Sequence, residues 1–263
     1  MVEYKTVLLD VENKVATLTL NRPDSRNALN ALIMEELCHA FDQLAGNPDV
    51  RVLIITGKGD VFCAGGDIRE HPSLRAENAI SRNDYIQEAQ NLPLRLHGFE
   101  KPVIAAINGP AFGAGFDLAM GCDIRIAAEE ASFAEAFVKL GLMPDYGGTY
   151  FLSRIVGVAK ALELILTGDS IDSADALNLG LVSKVVSAQD LMPQARALAE
   201  RLAKGPSVAH RFIKNAVYSN TRGTLEEALE REKDGQVILM DTEDAKNAIK
   251  SFGDKRPLVF SGK

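Results

Sequence analysis

Alternating hydrophobic and polar residues near the start of the chain predict a pair of β-strands. Segments 6–12 and 15–20 alternate with a period of two, and Asn13 and Lys14 form the turn between them. Longer apolar runs follow, and such runs are typical of strands that are buried on both faces. They predict further strands at 50–56, 102–107, 123–127 and 182–186.

Apolar residues three or four positions apart predict helices between and after these strands. In segment 30–44, for example, Leu37, Ala40, Phe41 and Leu44 share one helical face. The same kind of spacing, or a polar helical composition, predicts helices at 76–96, 147–155, 159–166, 173–179, 190–204, 208–218 and 225–252.

The order of these elements indicates an α/β fold. Strands that alternate with helices favour parallel pairing in stacked β-β-α or β-α-β units. The last third of the chain is almost entirely helical by the same criteria. We therefore expect a core domain at 1–190 and a helical subdomain at 191–263, with a soft boundary between them.

Two short segments of the chain repeat one another. Residues 62–67 and 112–117 both read Phe-x-Ala-Gly-x-Asp, and each follows an apolar strand and a turn. Small residues at such corners let a ligand approach the backbone, and free N–H groups at a helix start favour negative charge. Two corners would direct two N–H donors at one oxygen, which is an oxyanion hole. The other interpretation is that the glycines only permit tight turns.

Composition excludes several classes of function. The chain of 263 residues carries a net charge of −7, which argues against a large nucleic-acid surface and against binding to an anionic membrane. Its three cysteines and four histidines form neither a disulfide framework nor a zinc motif, so no metal is expected. The N-terminus lacks signal-peptide features, and no apolar run reaches the roughly 20 residues that span a bilayer. We expect a cytoplasmic protein.

Further motifs follow one another along the chain in a fixed order. They are Asn-Arg-Pro with Asn-Ala-Leu at 21–29, Phe-Cys-Ala-Gly-Gly-Asp-Ile at 62–68, Asn-Gly-Pro-Ala-Phe-Gly-Ala-Gly at 108–115, Cys-Asp-Ile-Arg at 122–125 and Leu-Met-Pro-Asp-Tyr-Gly-Gly-Thr at 142–149. In this order they resemble the signatures of the crotonase (enoyl-CoA hydratase/isomerase) superfamily. The resemblance extends over essentially the whole chain, including its ending at 252–263.

This resemblance implies both a fold and a class of substrate. It implies a spiral of repeated β-β-α units followed by helices that trimerise, giving a homotrimer or a homohexamer. The substrate would be an acyl-CoA thioester, with coenzyme A as part of the substrate and no other cofactor. The backbone N–H groups of Gly66 and Ala114 would hold the thioester oxygen.

The same resemblance implies which residues bind the substrate. Phe252 and Lys255 match positions that close over the CoA nucleotide, often from a neighbouring subunit. Phe137 would lie beside the acyl group. The adenine and pantetheine would run past Arg26, Ala28, Ala64, Asp67 and Ile68.

The acid and base positions of the family decide which reaction is expected. Hydration needs a pair of carboxylates to activate water. One stands at Asp117 here, but the second position carries Phe137, which transfers no proton, and Glu135 lies two residues away. Asp145 matches the acid position of several isomerases in the superfamily, including that of bacterial phenylacetate degradation. The resemblance therefore implies an enoyl-CoA isomerase with Asp145 and Asp117 as catalytic residues.

Other interpretations of these residues stay open. Asp145 precedes a predicted helix and is also suited to be its N-terminal cap. Asp117 is also suited to be a solvated or hydrogen-bonded helix residue. Hydration of a 2-enoyl-CoA by Asp117 with a substitute acid is the alternative reaction. A non-catalytic CoA-binding or RNA-binding relative is the alternative from another class.

Overall fold

A six-stranded sheet carries the fold in the computed structural model, which describes residues 4–70, 78–254 and 258–263. The first two strands pair antiparallel, and every later neighbour in the sheet is parallel. In sheet order the strands are β1 (Val7–Glu12), β2 (Val15–Leu20), β3 (Val52–Gly57), β4 (Val103–Ile107), β6 (Ile124–Ala128) and β9 (Lys184–Val186). The parallel pairing predicted from the apolar runs is confirmed.

A second layer of short pairings runs beside this sheet. Its strands are β5 (Ala111–Phe112), β7 (Ser132–Ala134) and β8 (Ile171–Asp172). Isolated parallel bridges extend the layer backwards along the chain, from Ala111 to Cys63 and from Gly66 to Leu29. Successive turns of the chain therefore stack corner upon corner, which is the spiral of repeated units that was expected.

Helices follow the strands and pack on both faces of the sheet. The first begins after Asn30, whose side chain accepts a hydrogen bond from the Ile33 amide and so caps it. In chain order the helices are α1 (Ala31–Ala45), α2 (Ala79–Ala89), α3 (Asn91–His97), α4 (Ala114–Met120), α5 (Gly148–Thr167), α6 (Ser173–Asn178), α7 (Ala188–Ala203), α8 (Ser207–Asn220), α9 (Leu225–Met240) and α10 (Glu243–Asp254).

Four of the predicted helices are divided or joined in the structure. The helix expected at 225–252 is two helices, because Thr242 accepts a hydrogen bond from the Ala245 amide and caps a new helix after α9. Segment 76–96 also divides, and the restart at Asn91 places Pro93 in a first turn, where its missing N–H is not needed. The segments 147–155 and 159–166 join in α5, which is kinked at Gly157.

The second face of the sheet is covered by α7. Leu191, Ala195 and Ala199 of this helix form one buried cluster with Val52 and Ile54 of β3. The division of the chain at residue 190 stays a prediction. Among the residues that the structure describes, no helix is both long enough and apolar enough to cross a bilayer.

Candidate active site

A cavity of about 430 Å³ lies where the two repeated corners meet. Gly66 of the first corner and Ala114 of the second both line it, together with Asp145. Most of the remaining lining is apolar, which suits an acyl chain. The other lining residues are Leu29, Ala64, Gly65, Ile68, Arg82, Ile86, Gly113, Ala136, Phe137, Lys139, Leu140, Leu142, Met143 and Tyr146.

A second apolar cavity, of about 440 Å³, lies between β6 and α8. Its walls include Ile124, Tyr150 and Ile213, but none of the residues predicted to bind or transform a substrate. The two cavities have nearly the same volume, so volume alone does not identify the active site. The cavity at the corners is the candidate active site because it brings predicted oxyanion donors and a carboxylate together.

The two corners touch, and glycine permits the contact. A Cβ atom on Gly65 would lie 2.8 Å from the Phe112 carbonyl oxygen and 3.6 Å from the Ala114 nitrogen. One on Gly115 would lie 2.3 Å from the Cys63 carbonyl oxygen, closer than real Cβ atoms come. The glycines thus do more than turn the chain, because they allow one corner to pack directly on the other.

The Gly66 and Ala114 amides remain available to a ligand. Ala114 is the first residue of α4, where amides have no partner within the helix. The neighbouring Gly113 amide, by contrast, donates to the Ala134 carbonyl oxygen at 2.8 Å. Within the described residues, neither Gly66 nor Ala114 donates a hydrogen bond from its backbone N–H. Two donors therefore border one cavity.

Asp145 lies in the cavity wall rather than at a helix cap. The N-cap residue of α5 is Gly147, in a left-handed conformation, and Asp145 lies two residues before it. The Asp145 backbone carbonyl accepts a hydrogen bond from the side-chain Nε2 of Gln90 at 3.3 Å. The pKa of Tyr85 is raised to about 12, mainly by burial and secondly by the negative charge of Asp145. Asp145 is therefore not the N-cap residue of α5.

Asp117 and Glu135 form a buried pair outside the cavity lining. Their side chains are 1% and 0% exposed, respectively, and neither residue borders the cavity. A Cβ atom on Gly148 would lie 2.3 Å from Asp117 Oδ1 and 2.5 Å from Glu135 Oε1, so both carboxyl groups contact the start of α5. Asp117 is thus neither solvated nor part of the cavity wall.

The pKa of each of these carboxyl groups is raised. Burial raises the pKa of Asp117 well above its usual range, and the charges of Glu135 and Asp145 raise it further. Burial raises the pKa of Glu135 to about 7. A hydrogen bond between the two carboxyl groups also raises the pKa of Asp117 and lowers that of Glu135, and the Gly148 amide lowers the pKa of Asp117. Both carboxyl groups therefore favour the protonated form more than an exposed carboxyl group does.

The structure separates the predicted substrate-binding residues into two groups. Ala64, Ile68 and Phe137 line the cavity. The others lie outside it: Arg26 and Ala28 in the loop before α1, Asp67 after the first corner, and Phe252 on α10 with 86% of its surface exposed. Lys255 lies outside the described residues.

Two residues that support the site were missed at the sequence level. Arg22 donates to the Asp67 carboxylate at 2.9 Å and also to the Ala28 carbonyl oxygen, so it ties the first corner to the loop before α1. Gly148 leaves room for the carboxyl pair. Both lie within the quoted motifs, but only their three-dimensional neighbours reveal what they do.

Comparison with known protein families agrees with this geometry. The sequence profile of the family described as Enoyl-CoA hydratase/isomerase matches residues 10–263. The short-chain-enoyl-CoA hydratase of Clostridium acetobutylicum is 38% identical over 257 residues, which cover 97% of each chain. The 1,2-epoxyphenylacetyl-CoA isomerase of Escherichia coli is also 38% identical, over 264 residues that cover 100% of each chain.

Solved structures show the same fold. The crystal structure of an enoyl-CoA hydratase from Bacillus anthracis superposes with a TM-score of 0.93 at 33% identity. The match covers 98% of this chain and 100% of that one. The relatives thus include hydratases and an isomerase on one architecture.

Proposed function

The chain belongs to the enoyl-CoA hydratase/isomerase family, and we propose that it moves the double bond of an enoyl-CoA thioester. One observation carries the proposal. Asp145 borders the same cavity as the Gly66 and Ala114 amides, whereas the second carboxylate position of hydratases holds Phe137. The site therefore has a base and an oxyanion hole but no carboxylate pair facing the cavity.

The two amides would stabilise the intermediate. Removing a proton next to a thioester carbonyl moves the electron pair onto the carbonyl oxygen and gives an enolate. Donors that are already oriented stabilise that charge without further rearrangement. Gly66 and Ala114 suit this role because their corners are held in contact through Gly65 and Gly115.

Asp145 would transfer the proton. Its carboxylate accepts a proton from one carbon of the acyl chain, and the electron pair passes to the thioester oxygen. The electrons then return to form the C–C double bond one position along, and a proton from the Asp145 carboxyl group adds to the chain. Phe137 and Leu142 border the same space, and apolar walls of this kind disfavour a competing water.

The CoA part of the substrate would lie along the entrance to the cavity. Ala64 and Ile68 already form part of its wall. We extend the site from there to Arg26, Ala28 and Asp67, with Phe252 and Lys255 closing over the nucleotide. The proposal needs neither a metal nor a redox cofactor.

Hydration of a 2-enoyl-CoA is the second candidate. The relative from Clostridium acetobutylicum is named a short-chain-enoyl-CoA hydratase. A carboxyl pair does exist here, formed by Asp117 and Glu135, although it is buried behind the cavity wall. For hydration, that pair would have to become accessible to water.

A panel of thioesters distinguishes the two reactions. The protein is incubated with 2-enoyl, 3-enoyl and dienoyl-CoA esters in D₂O, and the products are resolved by mass and retention time. Isomerisation gives a product of unchanged formula, with or without exchanged deuterium, whereas hydration adds one water. A hydrated product with no isomer from any substrate would refute the proposal.

Replacing Phe137 with glutamate should shift the reaction towards hydration. The Phe137 ring borders the cavity and would lie 3.5 Å from a Cβ atom on Gly113, so a carboxylate there would face the bound acyl group. General acid–base groups are worth roughly 10²-fold or more, and we expect the ratio of hydration to isomerisation to rise at least about tenfold. Phe137→Gln is the control without a proton carrier. Equal ratios in the two variants would contradict the expectation.

The C-terminal helices support assembly into a homotrimer or homohexamer. Leu225, Leu229, Val237 and Ile238 of α9 are all more than half exposed. Apolar residues concentrated on one helix usually mark an interface. We expect a mass of three or six chains by light scattering at micromolar concentration, and a monomer would contradict this.

A further inference from the structure

The carboxyl pair of Asp117 and Glu135 is not explained by the reaction as proposed. It lies beside the oxyanion corner: Asp117 is on the first helical turn after Ala114, and its amide donates to the Gly113 carbonyl oxygen at 3.0 Å. Apart from each other and the Gly148 amide, the two carboxyl groups have no hydrogen-bond partner among the described residues. Buried polar groups without partners are costly, and buried charges much more so.

Two full negative charges are not expected to persist in that position. Glu135 directly follows β7, Asp117 belongs to α4, and both carboxyl groups meet at the start of α5, at Gly148. Like charges in one dry site oppose each other's ionisation, so such pairs retain a proton above the usual range of pH. No cationic side chain approaches either carboxyl group within salt-bridge distance in the described part of the chain.

We infer that Asp117 and Glu135 hold a proton in common, and that this proton keeps a second negative charge away from the oxyanion corner at Ala114. An enolate forming at that corner is itself negative, and a nearby charge raises its energy by Coulomb repulsion. Glu135 is then a positioning residue that acts through Asp117, and neither carboxyl group needs to touch the substrate. This inference rests on the proposed enolate chemistry.

Other titratable groups lie near the pair. Asp145 adds a negative charge that raises the pKa of Asp117 further. The Lys139 side chain runs past the Glu135 backbone, since both would contact a Cβ atom on Gly168 at 3.2 Å.

The shared proton has a consequence for stability that does not depend on catalysis. A carboxyl group with a raised pKa in the folded state stabilises the fold at low pH, and that contribution is lost as the pH rises through the folded pKa. For Glu135 this window runs from the ordinary range of a glutamate up to about 7. The melting temperature should therefore fall between pH 5 and pH 8.

The experiment compares Glu135→Gln and Asp117→Asn with the unaltered protein. Each variant can carry only one negative charge at the pair. Between pH 5 and pH 8 we therefore expect the Tm of each variant to fall by roughly 5 °C less than the Tm of the unaltered protein. Glu130→Gln, an exposed position shortly before β7, is the matched control and should follow the unaltered protein. If the Tm of the unaltered protein and of both variants falls equally with pH, Asp117 and Glu135 do not share a proton.

The kinetic arm uses whichever enoyl-CoA conversion the protein catalyses, so it does not require isomerisation. The unaltered protein should lose about tenfold in kcat above neutral pH as the second charge appears. Both amide variants should lack that alkaline decline. If the melting curves change but the kcat profiles do not, the inferred role is wrong and the proposed function is unaffected. If Asp117→Asn is inactive while Glu135→Gln is not, the inferred role is also wrong, and the activity of Asp145→Asn then decides whether the proposed function stands.

Discussion

Asp145→Asn should lower kcat at least about 10²-fold while leaving the affinity for a saturated acyl-CoA nearly unchanged. Asparagine keeps the shape of the side chain but carries no proton, and general acid–base catalysis is worth roughly 10²- to 10⁴-fold. The residue borders the acyl cavity, whereas the proposed CoA contacts at Arg26 and Asp67 lie outside its lining. The measurements are kcat on the best isomerisation substrate and calorimetric binding of the saturated analogue.

The matched comparison is Asp117→Asn, measured at neutral pH. Asp117 is 1% exposed and outside the cavity lining, so its replacement should cost less than that of Asp145. If Asp145→Asn remained close to the unaltered enzyme while Asp117→Asn was inactive, Asp117 would be the catalyst. The isomerase proposal would then lose its main support.

Ala114→Pro should lower kcat by roughly 10²- to 10³-fold, because it removes one of the two oxyanion donors. Losing a single donor of this kind typically has an effect of that size. Proline is tolerated at the first position of a helix, which is where Ala114 stands in α4. The fold should therefore survive, and the loss should appear in kcat with circular dichroism unchanged.

Ala188→Pro provides the control for this substitution. Ala188 is the exposed first residue of α7 and is remote from the cavity lining. A proline there tests the effect of the ring on a helix start without touching an oxyanion donor. Equal losses of activity in the two variants would mean that Ala114 acts through structure alone.

Much of the fold could be predicted because its signals are local. Apolar runs identified β3, β4 and β6, and the repeated corners at 62–67 and 112–117 indicated two similar strand-to-helix turns. The predicted helix after residue 224 was too long, because a capping hydrogen bond from the Ala245 amide to Thr242 outweighs the apolar periodicity across it. Such a cap depends on side-chain geometry rather than on a repeating pattern.

The candidate site could be predicted only in part, for a physical reason. Gly66, Ala114 and Asp145 lie in motifs, and the structure brings all three to one cavity. The partnership of Asp117 with Glu135 could not be foreseen, because it depends on how the end of β7 meets the start of α5. At the sequence level Glu135 was only a carboxylate two residues from the expected position.

The contact between the corners also bears on how the protein folds. Gly65 contacts Phe112 and Ala114, and Gly115 contacts Cys63. The two halves of the oxyanion hole therefore come from segments that are about fifty residues apart in the chain. Contacts between distant parts of a chain form late, since the intervening segment must first be ordered. A nascent chain therefore has no active site until the second turn of the spiral closes on the first. Catalytic competence therefore requires both turns of the spiral to be in place.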